Sequence, residues 1–127
     1  MQNNIEELTN LTSSELLHKS DELRGWVIKK GQEHAEANQK YKDIKELMPS
    51  ILAQFQDYYA TKVMGIKPAM VKIKAQADPQ YMAKIKEMNQ LEYEANMKEI
   101  EYKAWYASLK NIESISYVRN NELKLAR

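Results

Sequence analysis

After Pro79 the chain runs to its last residue without another proline or a single glycine. These are the residues that most readily interrupt a helix, proline because it lacks an N–H and clashes with the preceding turn, glycine because it has the most backbone entropy to lose. The stretch opens with Asp78-Pro79, an N-cap aspartate followed by proline at the one helical position where its missing N–H costs nothing. A single helix over 79–126 is the expectation. One heptad frame through it takes Met88, Leu91, Ala95, Lys98, Tyr102, Trp105, Leu109, Ile112, Ser116, Arg119 and Leu123. Eight of these eleven positions are apolar, which predicts one packed seam along its length. Such a helix would be roughly 70 Å long.

The first half follows the same logic. Ser13 or Ser14 can cap a helix, and Asp21 and Glu22 lie early in it, on the favourable side of the helix dipole. Its frame runs Leu16, Ser20, Leu23, Val27, Lys30, His34, Ala37, Tyr41, Ile44, Met48, Ile51, Phe55, Tyr58 and Lys62, ten of fourteen apolar, and passes Pro49 without losing phase. An interior proline costs about 3 kcal/mol and bends a helix. Apolar residues in phase on both sides therefore predict one helix over 14–64, kinked at Pro49, in preference to two helices. Gly25 and Gly31 weaken its first third.

Gly65 and Pro68 end this helix, leaving 65–78 as a connection. Val71, Ile73 and Ala75 alternate there with Lys72, Lys74 and Gln76 at the strand period, but a lone strand has nothing to pair with, so a short helical turn or an extended tip is expected. The resulting fold is a single all-α domain over 1–127, an antiparallel hairpin of two long helices with a basic connecting tip. Two helices cannot surround their own core, and Trp26, Tyr59, Tyr93, Tyr106 and Tyr117 fall off the main seams. Assembly of several copies into a larger helical bundle, a homo-oligomer, is the expected consequence.

Chemistry has little raw material here. With no cysteine, disulfides, thiol catalysis and cysteine-based metal sites are excluded. The two histidines belong to no HExxH, and no GxSxG, P-loop or GxGxxG occurs. His34, near Glu33 and Glu36, reads as a solvated histidine rather than a ligand, and the carboxylates at helical spacing lack the ExxH signature of di-iron bundles. The chain is not expected to be an enzyme, to hold a metal or to need a cofactor. No basic and apolar leader opens it and no apolar run approaches membrane-spanning length, so a cytoplasmic protein without membrane insertion is expected.

Net charge is only +1, from 19 basic and 18 acidic residues, so any attraction to an anion must come from local distribution. Residues 62–86 hold Lys62, Lys67, Lys72, Lys74, Lys84 and Lys86 against Asp78 alone. Residues 1–23 and 92–101 are acidic by contrast. The lysine cluster can be a solvated loop, or a surface that binds phosphates without reading sequence. Tyr58, Tyr59 and Tyr81 lie beside it and could stack on bases, which makes single-stranded DNA the favoured ligand; an anionic membrane surface is less favoured, because no amphipathic basic helix accompanies the cluster.

A second reading takes the target to be a protein, making the chain a small regulator, inhibitor or scaffold. Trp26, Trp105, Tyr106 and Tyr117 would then be the anchors, as aromatic residues dominate interface energetics. The seam also turns polar at Ser116 and Arg119, either to fix register or oligomer state or because the helix there faces solvent. Arg119, with Tyr117, could contact a partner.

Two patches, "DYYATK" (Asp57 to Lys62) and "SYVRNNELK" (Ser116 to Lys124), resemble segments of the UvsY-type recombination mediators of phages. The resemblance implies an oligomeric, single-stranded-DNA-binding accessory that helps load a recombinase. The DNA contacts it implies here are Tyr58, Tyr59 and Lys62. Between the patches, Pro68 and Asp78-Pro79 set a connection that departs from the family pattern.

Overall fold

The computed structural model describes Leu8 and residues 10–125. Helix α1 spans Ser13–Thr61, a 3₁₀ turn follows at Pro68–Met70, α2 spans Val71–Ala77 and α3 spans Pro79–Leu125. The described residues contain no strand, and the fold is an all-α helical hairpin. Its contacts gather into two compact units, through both of which the long helices pass: Met1–Ala35 with Met97–Arg127, and Glu36–Asn96. The second helix, expected to reach Ala126, is described as far as Leu125. The acidic Glu6 and Glu7 lie outside the described residues.

Helix α1 is capped by Thr12, ahead of the expected serine caps Ser13 and Ser14. Thr12 Oγ1 accepts the Glu15 N–H at 3.1 Å and donates to Glu15 Oε1 at 3.1 Å, satisfying an N–H that the first turn cannot bond internally. The helix then runs unbroken past Pro49. Pro49 is exposed, so the carbonyl its missing N–H leaves unbonded can be hydrated. Continuity through the proline follows from that position.

In the unit holding the chain's ends, Leu8, Leu16, Leu23, Val27, Leu109 and Ile112 form the core, with Leu11, Tyr102, Trp105 and Ile115 packed against it. Leu16 and Ile112 are each 1% exposed. The pairing is antiparallel: Arg24 reaches Glu113 at 3.8 Å, whereas Lys30, further along α1, reaches Glu101, further back on α3, at 3.4 Å. Lys30 also bonds Glu33 at 3.3 Å, and Lys98 lies 3.5 Å from Glu33 and 3.8 Å from Glu101. Burial presses the Lys30 ammonium pKa down and the Glu33 carboxyl pKa up, but the mutual hydrogen bonds and charges outweigh it, leaving Lys30 raised and Glu33 lowered. Two charged seam positions, Lys30 and Lys98, are thus satisfied within the chain. The polar end of the α3 seam is also engaged, since half-buried Arg119 donates to the Leu11 carbonyl just ahead of the α1 cap.

In the other unit, Ile44, Met48 and Tyr81 are buried, with Ile51, Leu52, Phe55, Ile85, Met88 and Leu91 around them. The Glu92 carboxylate beside Tyr41 pushes the Tyr41 phenol pKa up, and the Phe55 and Tyr81 rings meet edge to face at 6.0 Å. As numbering rises on α1 it falls on α3, so this pairing is antiparallel too.

Candidate nucleic-acid interface

The candidate interface lies where α1 hands over to α3. The last turn of α1 is closed by the Thr61 hydroxyl, which donates to the Asp57 carbonyl at 2.7 Å, and by the Lys62 N–H, which donates to the Tyr58 carbonyl at 2.8 Å. The chain then reverses at Gly65, whose φ of 75° lies where a side chain would strain. Lys67 is extended, as a residue before proline must be, and Pro68 opens the 3₁₀ turn. The strand-period stretch folds as helix α2, with Ala75 fully buried and Val71 one turn away half-buried. That choice of face leaves Ile73 55% exposed.

Asp78 then caps α3 as expected: Oδ1 accepts the Gln80 N–H at 2.8 Å. Its other oxygen has a partner the sequence did not announce. The Tyr59 hydroxyl donates to Asp78 Oδ2 at 2.6 Å, tying the end of α1 to the start of α3. That bond is the largest influence holding the Asp78 carboxyl below its usual pKa; burial opposes it, and the Gln80 and Tyr81 N–H groups add to it. The same bond pushes the Tyr59 phenol pKa up.

All six lysines of the stretch, Lys62, Lys67, Lys72, Lys74, Lys84 and Lys86, are exposed. Among the described residues only Lys84 has an acidic partner, Glu87 at 3.3 Å. Lys72 and Lys74, two apart on a helix, leave it on different sides. Met64, 97% exposed, and Met82, 55% exposed, lie among the lysines.

The three tyrosines separate. Tyr58 is 52% exposed and open to a ligand. Tyr59 is half-buried, its hydroxyl committed to Asp78 and its ring perpendicular to that of Tyr58 at 5.3 Å. Tyr81 corrects the sequence reading. At 8% exposure and packed against Phe55, it is a core residue with no face to offer a base. Between α1 and the start of α3 a cleft of about 530 Å³ is lined by Gln54, Phe55, Tyr58, Asp78, Pro79 and Gln80. Neither glutamine was singled out from sequence, although Gln54 stands one helical turn before Tyr58.

The aromatic residues expected to anchor a partner divide as well. Trp26 stacks on Trp105 with centroids 5.1 Å apart and planes 16° apart, and Lys29 Nζ sits 4.9 Å from the Trp26 ring. The two tryptophans therefore pack on each other, Trp105 against the core and Trp26 37% exposed. Tyr106 and Tyr117 remain 44% and 68% exposed. His34 packs against Tyr102 at 6.3 Å, and no group of three or more possible metal ligands gathers among the described residues. No described helix is long and apolar enough to cross a membrane. No protein-family model, curated protein or solved structure matches the chain.

Proposed function

We propose that this protein is a non-enzymatic, self-associating helical protein that binds single-stranded nucleic acid through the lysines of residues 62–86, as a recombination or replication accessory of the UvsY type would. One observation carries the reading: Lys62, Lys67, Lys72, Lys74 and Lys86 are exposed without an acidic partner among the described residues, beside the half-exposed Tyr58. Lysines so placed release counterions when they meet phosphates, and an open aromatic ring accepts an unpaired base but not a stacked pair. The likeness of Asp57 to Lys62 to the mediator family points the same way.

The test is fluorescence anisotropy of a labelled single-stranded oligonucleotide, with a duplex of equal length, at two salt concentrations. Micromolar or tighter binding to the single strand, weakening steeply with salt, is expected. Lys72→Glu with Lys74→Glu should weaken it and lower the salt slope by roughly 1.4, about 0.7 for each phosphate no longer neutralised. Unchanged binding in the double variant would remove these lysines from the site. Protein recognition is favoured instead by the exposure of Leu17, Ile28 and Tyr117, at 61%, 63% and 68%. It would appear as binding indifferent to salt and absent with oligonucleotides.

A further inference from the structure

Gln54, Tyr58 and Lys62 are spaced four residues apart, so they form a row along one face of the last turns of α1. The Lys62 N–H bond to the Tyr58 carbonyl extends the helical ladder to the end of that row. The three side chains are an amide, an exposed aromatic ring and an ammonium, and the first two line the 530 Å³ cleft. The volume is within the range of small-molecule pockets, about 300–1,000 Å³. Phe55, Tyr58 and Pro79 give the cleft apolar surface, and the Gln54 and Gln80 amides give it hydrogen-bonding groups that both donate and accept.

Resting on the phosphate-binding reading above, we infer that this cleft is a subsite for one unstacked nucleobase. The base lies on Tyr58 with its edge toward the glutamine amides, and its phosphate meets Lys62. An unpaired base has two apolar faces and a polar rim, which is the combination this lining matches. The Asp78 carboxylate in the wall gives the subsite direction. Its pKa is lowered and it already accepts from Gln80 and Tyr59, so its negative charge repels a phosphate from the cleft and turns the backbone toward the lysines outside. The Tyr59–Asp78 bond also prearranges the site: Tyr59 is held by its hydroxyl, and its ring meets Tyr58 edge to face. A stacking ring fixed in advance loses less freedom on binding.

The experiment compares a base-bearing single strand with an abasic sugar–phosphate strand of equal length on the full chain, by anisotropy at low salt. Tyr58→Ala, Tyr58→Phe and Gln54→Ala accompany the wild type, with circular dichroism to confirm their helicity. The wild type should prefer the base-bearing strand about fivefold to 150-fold, the effect of one stacked base. Tyr58→Ala should abolish that preference while leaving abasic binding and the salt slope unchanged. Tyr58→Phe, which keeps a ring, should retain most of it, and Gln54→Ala should reduce it. Equal wild-type binding of the two strands overturns the base subsite and leaves the phosphate reading standing. A Tyr58→Ala that weakens both strands equally overturns it too. Binding to neither strand overturns both.

Discussion

The two glycines inside α1 make opposite predictions from the same substitution. In a helix interior, alanine is favoured over glycine by about 0.8–1.0 kcal/mol. At Gly25 a new Cβ would meet nothing within 4 Å, so Gly25→Ala should realise that gain in full, raising the melting temperature by roughly 3–5 °C. At Gly31 the Cβ would stand 3.5 Å from Tyr102 Cδ2, an ordinary contact, but 3.2 Å from Cε2, inside the usual carbon–carbon contact of about 3.5–4.0 Å. Tyr102 is packed on the core, with His34 at 6.3 Å and Tyr106 at 6.2 Å, so its ring has little room to retreat. Overpacking of this kind costs about 1–3 kcal/mol. Gly31→Ala should therefore fall between no change and about 2 kcal/mol of destabilisation. Urea unfolding followed at 222 nm reads both. A double-mutant cycle sharpens the test, because in a Tyr102→Ala background Gly31→Ala should regain the stabilisation seen at Gly25. If Gly31→Ala stabilises the otherwise unaltered chain as much as Gly25→Ala, Tyr102 does not close over Gly31 and the packing argument fails.

Four further substitutions probe the two units separately. Leu16→Ala and Ile112→Ala remove the two most completely buried large side chains, and each should cost about 2–5 kcal/mol in chemical denaturation, whereas Met64→Ala, at 97% exposure, should stay within about 0.5 kcal/mol. Tyr59→Phe should destabilise at pH 7 by a margin that shrinks in acid. The Asp78 pKa is depressed in the fold, so its contribution is present above the unfolded value near about 4 and is lost as pH falls through the lower folded value. A margin equal at pH 7 and pH 3 would show that the hydroxyl does not stabilise the ionised carboxylate.

The helices were legible because their signals are periodic and local. Every position of the α1 frame from Leu16 to Phe55 is buried or half-buried. The frame fails only at its end, where Tyr59 turns inward and Tyr58 and Lys62 face water. The true cap was legible as well, since Thr12 precedes Glu15 by three residues, the capping-box spacing, and the glutamate decides between candidate hydroxyls. Tyr81 stands seven residues before Met88, so the α3 seam carried back one heptad would have put it in the core. What no single-helix period supplies is the register between helices. The Trp26–Trp105 stack, the Lys30–Glu101 bond and the contact of Gly31 with Tyr102 each join positions more than seventy residues apart. The Gln54 and Gln80 cleft was hidden for the same reason, its two sides coming from different helices.

The lysines of residues 62–86 form a same-sign cluster in which, among the described residues, only Lys84 has a carboxylate partner. Elsewhere Arg24, Lys30, Lys98, Lys103 and Lys110 all sit within 4 Å of a carboxylate, and the chain as a whole is close to neutral. Solubility alone is served by mixed charges, and a same-sign cluster adds self-repulsion. Helix α2 buries only Ala75 and part of Val71, and Asp78, the one acid of the segment, is turned to Tyr59 and the α3 cap. Salt then acts in two opposed directions on this one feature. It relieves the repulsion among the unpaired lysines in the free protein, and it removes the counterion-release advantage of a bound phosphate chain. The proposed anionic strand would do in the complex what salt does in its absence, and unlike dissolved ions it would also bring bases to the ring of Tyr58.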